Sequence, residues 1–140
     1  MRLYLDTNPL IYAVEGSPAL RSYCLERLRL VANHPSGTLL TSRIAYTECM
    51  VLPIRKRQPQ RALMFEAFFT DSGIFVADVS SEVLALASEV RASTRLKLVD
   101  AIHVATAIHF RADRLLTRDS DVCNLRELHG VTFEAIPNLQ

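Results

Sequence analysis

The sequence predicts a single α/β domain in which a mostly parallel central sheet carries helices on both faces. Three observations predict it. Short apolar runs alternate along the chain with longer segments of helical periodicity. The connections between them are short, as right-handed crossovers require. Several of the apolar runs end on a carboxylate, at the place where open α/β sheets bind their ligands. With 140 residues, 49% of them hydrophobic, the chain can bury one full core. It contains no linker, repeat or low-complexity tract, so residues 1–140 form one domain.

Leu3-Tyr4-Leu5 is the first strand-like run. It ends in Asp6-Thr7-Asn8-Pro9, where Pro9 suits the first turn of a helix carrying Leu10, Ile11, Tyr12 and Val14. Asp6 thus stands at a strand-to-helix junction, although Asp, Thr and Asn are also ordinary turn and cap residues. A second helix, from about Ala19 to Ala32, turns Leu20, Cys24, Leu28 and Val31 inward and its arginines outward, and His34-Pro35-Ser36-Gly37 stops it. Thr38-Leu39-Leu40-Thr41 is the second strand. Ser42 is placed to cap the following helix to Leu52, which carries Glu48 on its apolar part.

The basic stretch from Arg55 to Arg61 reads as a solvated loop, and a helix follows from Ala62 to Phe69. Its Phe and Met residues suit either a core or an oligomer surface. Ile74 to Val79 forms a third strand with Asp78 as turn chemistry, and Ser80-Ser81-Glu82 opens a helix through Ala92. From Leu98 to Ile108 the chain is apolar almost all the way round, the mark of a buried helix, yet it contains Asp100. Arg114-Leu115-Leu116-Thr117 is the fourth strand and delivers Arg118-Asp119-Ser120-Asp121, repeating the N-terminal arrangement. Val131 to Ile136 supplies the last strand.

A net charge of +1 argues against a strongly basic nucleic-acid domain and leaves only local patches for such contacts. Three scattered cysteines without a C-x-x-C argue against a disulfide framework or zinc knuckle and fit a reducing cytoplasm. No run has the length or character of a signal peptide or a membrane span.

The carboxylates carry the chemistry. A charged Asp100 near a core costs several kcal/mol, on the order of magnitude, unless it is compensated. Asp6, Asp119, Asp121 and Glu48 stand in comparable places, and an open α/β sheet can bring them to one edge. Such a cluster repels itself unless cations neutralise it, and hard divalent ions such as Mg²⁺ or Mn²⁺ prefer oxygen ligands. His103, one turn beyond Asp100, reads as a hydrogen-bonded packing residue rather than a general base. Cys49 and Cys123 read as small core residues.

Leu5-Asp6-Thr7-Asn8, Glu48 after the second strand, Leu98-Val99-Asp100-Ala101-Ile102-His103-Val104-Ala105-Thr106-Ala107 and Leu115-Leu116-Thr117-Arg118-Asp119-Ser120-Asp121 together resemble the PIN-domain family, and at this length its VapC-type toxins. The resemblance covers essentially the whole chain. It implies a Mg²⁺- or Mn²⁺-dependent endoribonuclease that hydrolyses RNA phosphodiesters with metal-activated water. Carried over by motif, Asp6, Glu48, Asp100 and Asp119 are the catalytic, metal-binding quartet and Asp121 is an auxiliary ligand. Thr117 would orient the last carboxylate, and Asn8 with Thr7 the first. Arg43, Arg55, Lys56, Arg57, Lys97 and Arg118 are the candidate RNA contacts. The resemblance further implies a homodimer and a VapB-type antitoxin. The alternative is a non-catalytic PIN-fold module that binds RNA or protein. Other Mg²⁺ phosphotransfer enzymes fit less well, because Asp6 is followed by Thr7-Asn8 rather than by a second acid two residues on.

Overall fold

The computed structural model describes residues 1–140 as β1 (Arg2–Leu5), α1 (Thr7–Glu15), α2 (Pro18–Ala32), β2 (Thr38–Ser42), α3 (Arg43–Arg55), α4 (Pro59–Asp71), β3 (Phe75–Ala77), α5 (Ser81–Ser93), α6 (Leu98–His109), β4 (Arg114–Thr117), α7 (Ser120–Cys123), β5 (Glu127–Leu128) and β6 (Val131–Ala135). The strands form one sheet in the order β3-β2-β1-β4-β6-β5. Every neighbouring pair is parallel except β5 with β6. The expected mostly parallel sheet with helices on both faces is therefore present.

The period-two alternation of a strand divides the apolar residues between two cores. Leu3, Leu5, Leu39 and Leu116 face one core, shared with residues of α1 to α4. Tyr4, Leu40 and Leu115 face the other, shared with residues of α5 and α6. The middle strand β1 is covered on both sides, and Leu3, Tyr4 and Leu5 have no exposed surface. This explains why such strands read as unbroken apolar runs.

Several boundaries differ from the sequence reading. Helix α3 continues through Pro53 to Arg55. Pro53 lacks the N–H of an intrahelical bond, but it is buried, and its packing outweighs that loss. The helix closes when the Lys56 N–H donates to Leu52 O and the Gln58 N–H to Pro53 O, with Arg57 left-handed at φ 53. Helix α4 begins at Pro59, where a missing N–H costs nothing because that donor has no partner in a first turn. The loop expected over Arg55 to Arg61 is thus only Lys56 to Gln58. Helix α7 and strand β5 are additional to the elements the sequence predicts, each too short to show a period. Strand β5 turns into β6 through His129 and Gly130, at φ 48 and 88, the two left-handed positions of a tight hairpin.

Candidate active site

Parallel strands β1, β2 and β4 all point their carboxyl ends to one edge of the sheet. Asp6 follows β1 directly and caps α1. Asp119 lies two residues beyond β4 and caps α7. Helix α3 leaves the end of β2 and carries Glu48, while Asp100 lies in the first turn of α6. Four separate segments therefore bring acids to the same edge.

Their orientation is set by hydrogen bonds. Asp6 Oδ1 accepts from the Thr7 N–H at 2.7 Å and Oδ2 from the Thr117 hydroxyl at 2.6 Å. Strand register makes the second bond possible, because Leu5 pairs with Leu116 and the next residues, Asp6 and Thr117, stand side by side. Thr117 Oγ1 also accepts from the Asp119 N–H at 3.0 Å. Asp119 Oδ1 in turn accepts from the Asp121 N–H at 2.8 Å. The Thr7 hydroxyl donates to Glu48 Oε1.

His103, 2% exposed, joins the acids from beneath. Its Nε2 lies 3.1 Å from Glu48 Oε1, 3.3 Å from Asp6 Oδ1 and 3.2 Å from Thr7 Oγ1. Its Nδ1 lies 2.7 Å from the Tyr4 hydroxyl. Burial opposes a charge on this ring, but the Glu48 hydrogen bond and the charges of Asp6, Glu48 and Asp100 outweigh burial and hold its pKa above the ordinary histidine value. Burial also pushes Glu48 up, and the bonds from His103 and Thr7 bring it below the usual carboxylate range.

Asp100 has no such help. Burial, then the charges of Asp119 and Asp6, push it up to about 6, with Glu48 adding to the shift and His103 the only opposing charge. The negative charge gathered here exceeds what the protein itself neutralises. No three carboxyl or imidazole groups converge on one point at ligand distance. A Mg²⁺ ion usually takes one or two carboxylates and keeps several waters, so it requires no closed protein cage. An all-oxygen set with excess charge fits such an ion.

A PIN domain family profile matches residues 3–128. The chain belongs to the PIN domain family. Among solved structures, the fold is similar to VapBC2 of Rickettsia felis bound to a promoter DNA fragment, at TM-score 0.79 and 20% identity over 98% of this chain and 100% of that one. A toxin–antitoxin complex from Klebsiella pneumoniae matches at TM-score 0.66 and 28% identity over 93% of this chain and 95% of that one. The sarcin-ricin loop cleaving toxin VapC20 of Mycobacterium tuberculosis matches at TM-score 0.69 and 18% identity over 91% and 97%. No curated protein matches in sequence.

Within this PIN domain Thr7 serves Asp6 as expected, whereas Thr117 and Asn8 depart from the expected assignment. The Thr117 side chain holds the first carboxylate, Asp6, and reaches Asp119 only through that residue's backbone N–H. Thr7 uses its N–H for Asp6 and its hydroxyl for Glu48. Asn8 is not among the partners of Asp6, whose two oxygens are taken by Thr7 and Thr117. Asp121 lies in the first turn of α7 with its side chain exposed.

The basic candidates divide. Arg43 opens α3, Lys97 caps α6 three residues before Asp100, and Arg118 precedes Asp119, so all three sit at the acidic edge. Arg118 lies over the Tyr12 ring, 5.6 Å from its centroid. Arg55, Lys56 and Arg57 lie at the far end of α3, about 10 Å beyond Glu48 at 1.5 Å per residue. The structure does not bring them to the acids. His103 is the buried, hydrogen-bonded residue expected from the sequence, whereas Tyr4 was not singled out; its signal was a polar-tipped ring in an apolar strand.

Proposed function

We propose that this PIN domain is a Mg²⁺- or Mn²⁺-dependent endoribonuclease, the toxin of a VapBC-type pair. The observation that carries the reading is the gathering of Asp6, Glu48, Asp100 and Asp119 from four segments at one edge of the sheet, with a buried histidine beside Asp6 and Glu48 and with Asp100 left undercompensated. Asp6, Glu48, Asp100 and Asp119 would hold the ion, with Asp121 beside them. When bound, a divalent ion of this kind supplies Lewis acidity toward phosphoryl oxygens and lowers the pKa of water.

The chain's own residues do the rest. Thr7 and Thr117 fix the two oxygens of Asp6, and Thr7 with His103 fixes Glu48, so these acids need no reordering when substrate arrives. Arg43, Lys97 and Arg118 flank the acids and contact the RNA backbone, which the carboxylates alone would repel. Asp100, protonated part of the time near neutral pH, would have to give up its proton to act as a ligand to such an ion.

The partners follow from the surface and the relatives. Val51, Leu52 and Ile54 on α3, and Leu63 and Met64 on α4, are exposed apolar side chains on two helices packed together. Such a surface supports a homodimer or contact with a partner, and the solved toxin–antitoxin complexes with the same fold support a VapB-type antitoxin as one partner. No helix is long and apolar enough to cross a membrane, and the three cysteines are free thiols.

Cleavage of labelled single-stranded and structured RNAs by wild type and Asp6→Asn tests the reading, with Mg²⁺, Mn²⁺ or EDTA and after removal of any copurified partner. Wild type is expected to cut only with metal, and the variant to lose at least about 100-fold, the scale seen when a key electrostatic group is removed. Equal cutting by both would sink the proposal. Metal binding without turnover on any RNA would favour the binding-module alternative.

A further inference from the structure

We propose that Tyr4 is a positioning residue for the carboxylate site, fixing the His103 ring so that its Nε2–H holds Glu48 beside Asp6. Its consequence for catalysis rests on the nuclease reading above.

Nε2 faces only acceptors. Glu48 Oε1 and Asp6 Oδ1 are acceptors, and the Thr7 hydroxyl has already spent its hydrogen on Glu48. All three neighbours present lone pairs, so the proton of a neutral ring belongs on Nε2. That leaves Nδ1 bare, and inside a core it must find a donor or cost about 1–3 kcal/mol. For the neutral ring the Tyr4 hydroxyl, 2.7 Å away, is that donor, and when the ring is charged the same oxygen accepts from Nδ1–H. The two rings also meet edge to face, with centroids 5.8 Å apart and planes at 66°, which holds the imidazole against rotation.

The placement makes packing an incomplete account of Tyr4. The residue is wholly buried in the middle strand, where phenylalanine would fill nearly the same volume without a hydroxyl to satisfy. The Tyr4 hydroxyl is the partner the structure gives Nδ1, so deleting it would strand that nitrogen. Strand β1 thus serves the site twice. Its end delivers Asp6, and two residues earlier Tyr4 sets the ring that holds Glu48 against it.

The test combines Tyr4→Phe, His103→Gln and the double variant. Imidazole ¹⁵N spectra of wild type at alkaline pH, where the ring is neutral, are expected to show His103 protonated at Nε2 alone. Tyr4→Phe is expected to shift the Nδ1 signal and mix the tautomers. Mn²⁺ affinity, read by calorimetry, should fall by about 10–100-fold, as for other partners that orient ligands from behind. RNA cleavage should lose kcat with little change in KM. His103→Gln keeps a donor facing the acids but has no Nδ1, so adding Tyr4→Phe to it should cost nothing further.

A wild-type ring protonated at Nδ1 would overturn the inference. So would Tyr4→Phe with unchanged imidazole signals and Mn²⁺ affinity, or an equal loss in both backgrounds, which would make Tyr4 a packing residue. Wild type that binds Mn²⁺ but cuts no RNA refutes the nuclease reading, while the binding cycle still decides the role of Tyr4. If wild type binds no Mn²⁺, the ¹⁵N spectra of the variants decide it.

Discussion

Burial and neighbouring charges move Asp100 from an ordinary 3.8 up to about 6. Between those values the folded protein holds a proton that the unfolded chain has released, so stability falls as pH rises through this window. Asp100→Asn removes the charge. In the absence of divalent ions the variant is expected to be more stable than wild type at pH 7, by about 1–2 kcal/mol once the half-exposed position is discounted. The gain should vanish below about pH 4, where both forms are neutral, and cleavage should be lost. Melting curves across pH check this; identical curves at pH 7 would mean that the cluster imposes no electrostatic cost. Stability given up for function is the expected signature of an active-site charge.

Helix α2 and strand β2 meet through a turn that admits no side chain at Gly37. A Cβ built there would lie 1.8 Å from Val31 O and 3.2 Å from His34 O. Relief requires moving the last turn of α2, whose Val31 and Leu28 belong to the core. Gly37→Ala is expected to cost at least about 2 kcal/mol in chemical denaturation, the penalty of an overpacked site, and a loss under about 0.5 kcal/mol would show that the turn can shift. The same α2 is clamped to β6, where Arg27 donates to both oxygens of Glu134 at 2.9 Å. Element identities were legible because apolar period and breaker residues are local properties. Helix α7 and strand β5 were not, since elements of four and two residues depend on partners elsewhere in the chain.

Across the molecule, a net charge of +1 means that few phosphates can be neutralised at once. With Arg43, Lys97 and Arg118 as the contacts, log affinity for single-stranded RNA should fall against log salt with a slope of about −2, from roughly 0.7 per contact. Neutralising Arg55, Lys56 and Arg57 together should leave that slope unchanged; a shallower slope would put the far end of α3 in the interface. The exposed apolar surface makes a separate prediction. Ile54 is 68% and Leu63 54% exposed. Ile54→Asp with Leu63→Asp should turn a dimer into a monomer in sedimentation while shifting stability by no more than about 0.5 kcal/mol. Dimers that survive the change would place self-association elsewhere.

The acids proposed for the site were visible in the sequence from their placement, Asp100 within an apolar helix and Asp6 and Asp119 just beyond the ends of strands. The parallel sheet was visible for the same kind of reason, from the alternation of strand and helix periods. Which side chain holds which acid was decided only by the tertiary structure. Thr117 reaches Asp6 because β4 lies beside β1 in a register that pairs Leu116 with Leu5. His103 joins Glu48 and Asp6 because α6 packs on the face to which Tyr4 points. Periodicity tells which face of an element is buried, whereas a hydrogen bond requires two elements at a fixed offset, and that offset is set by the packed core.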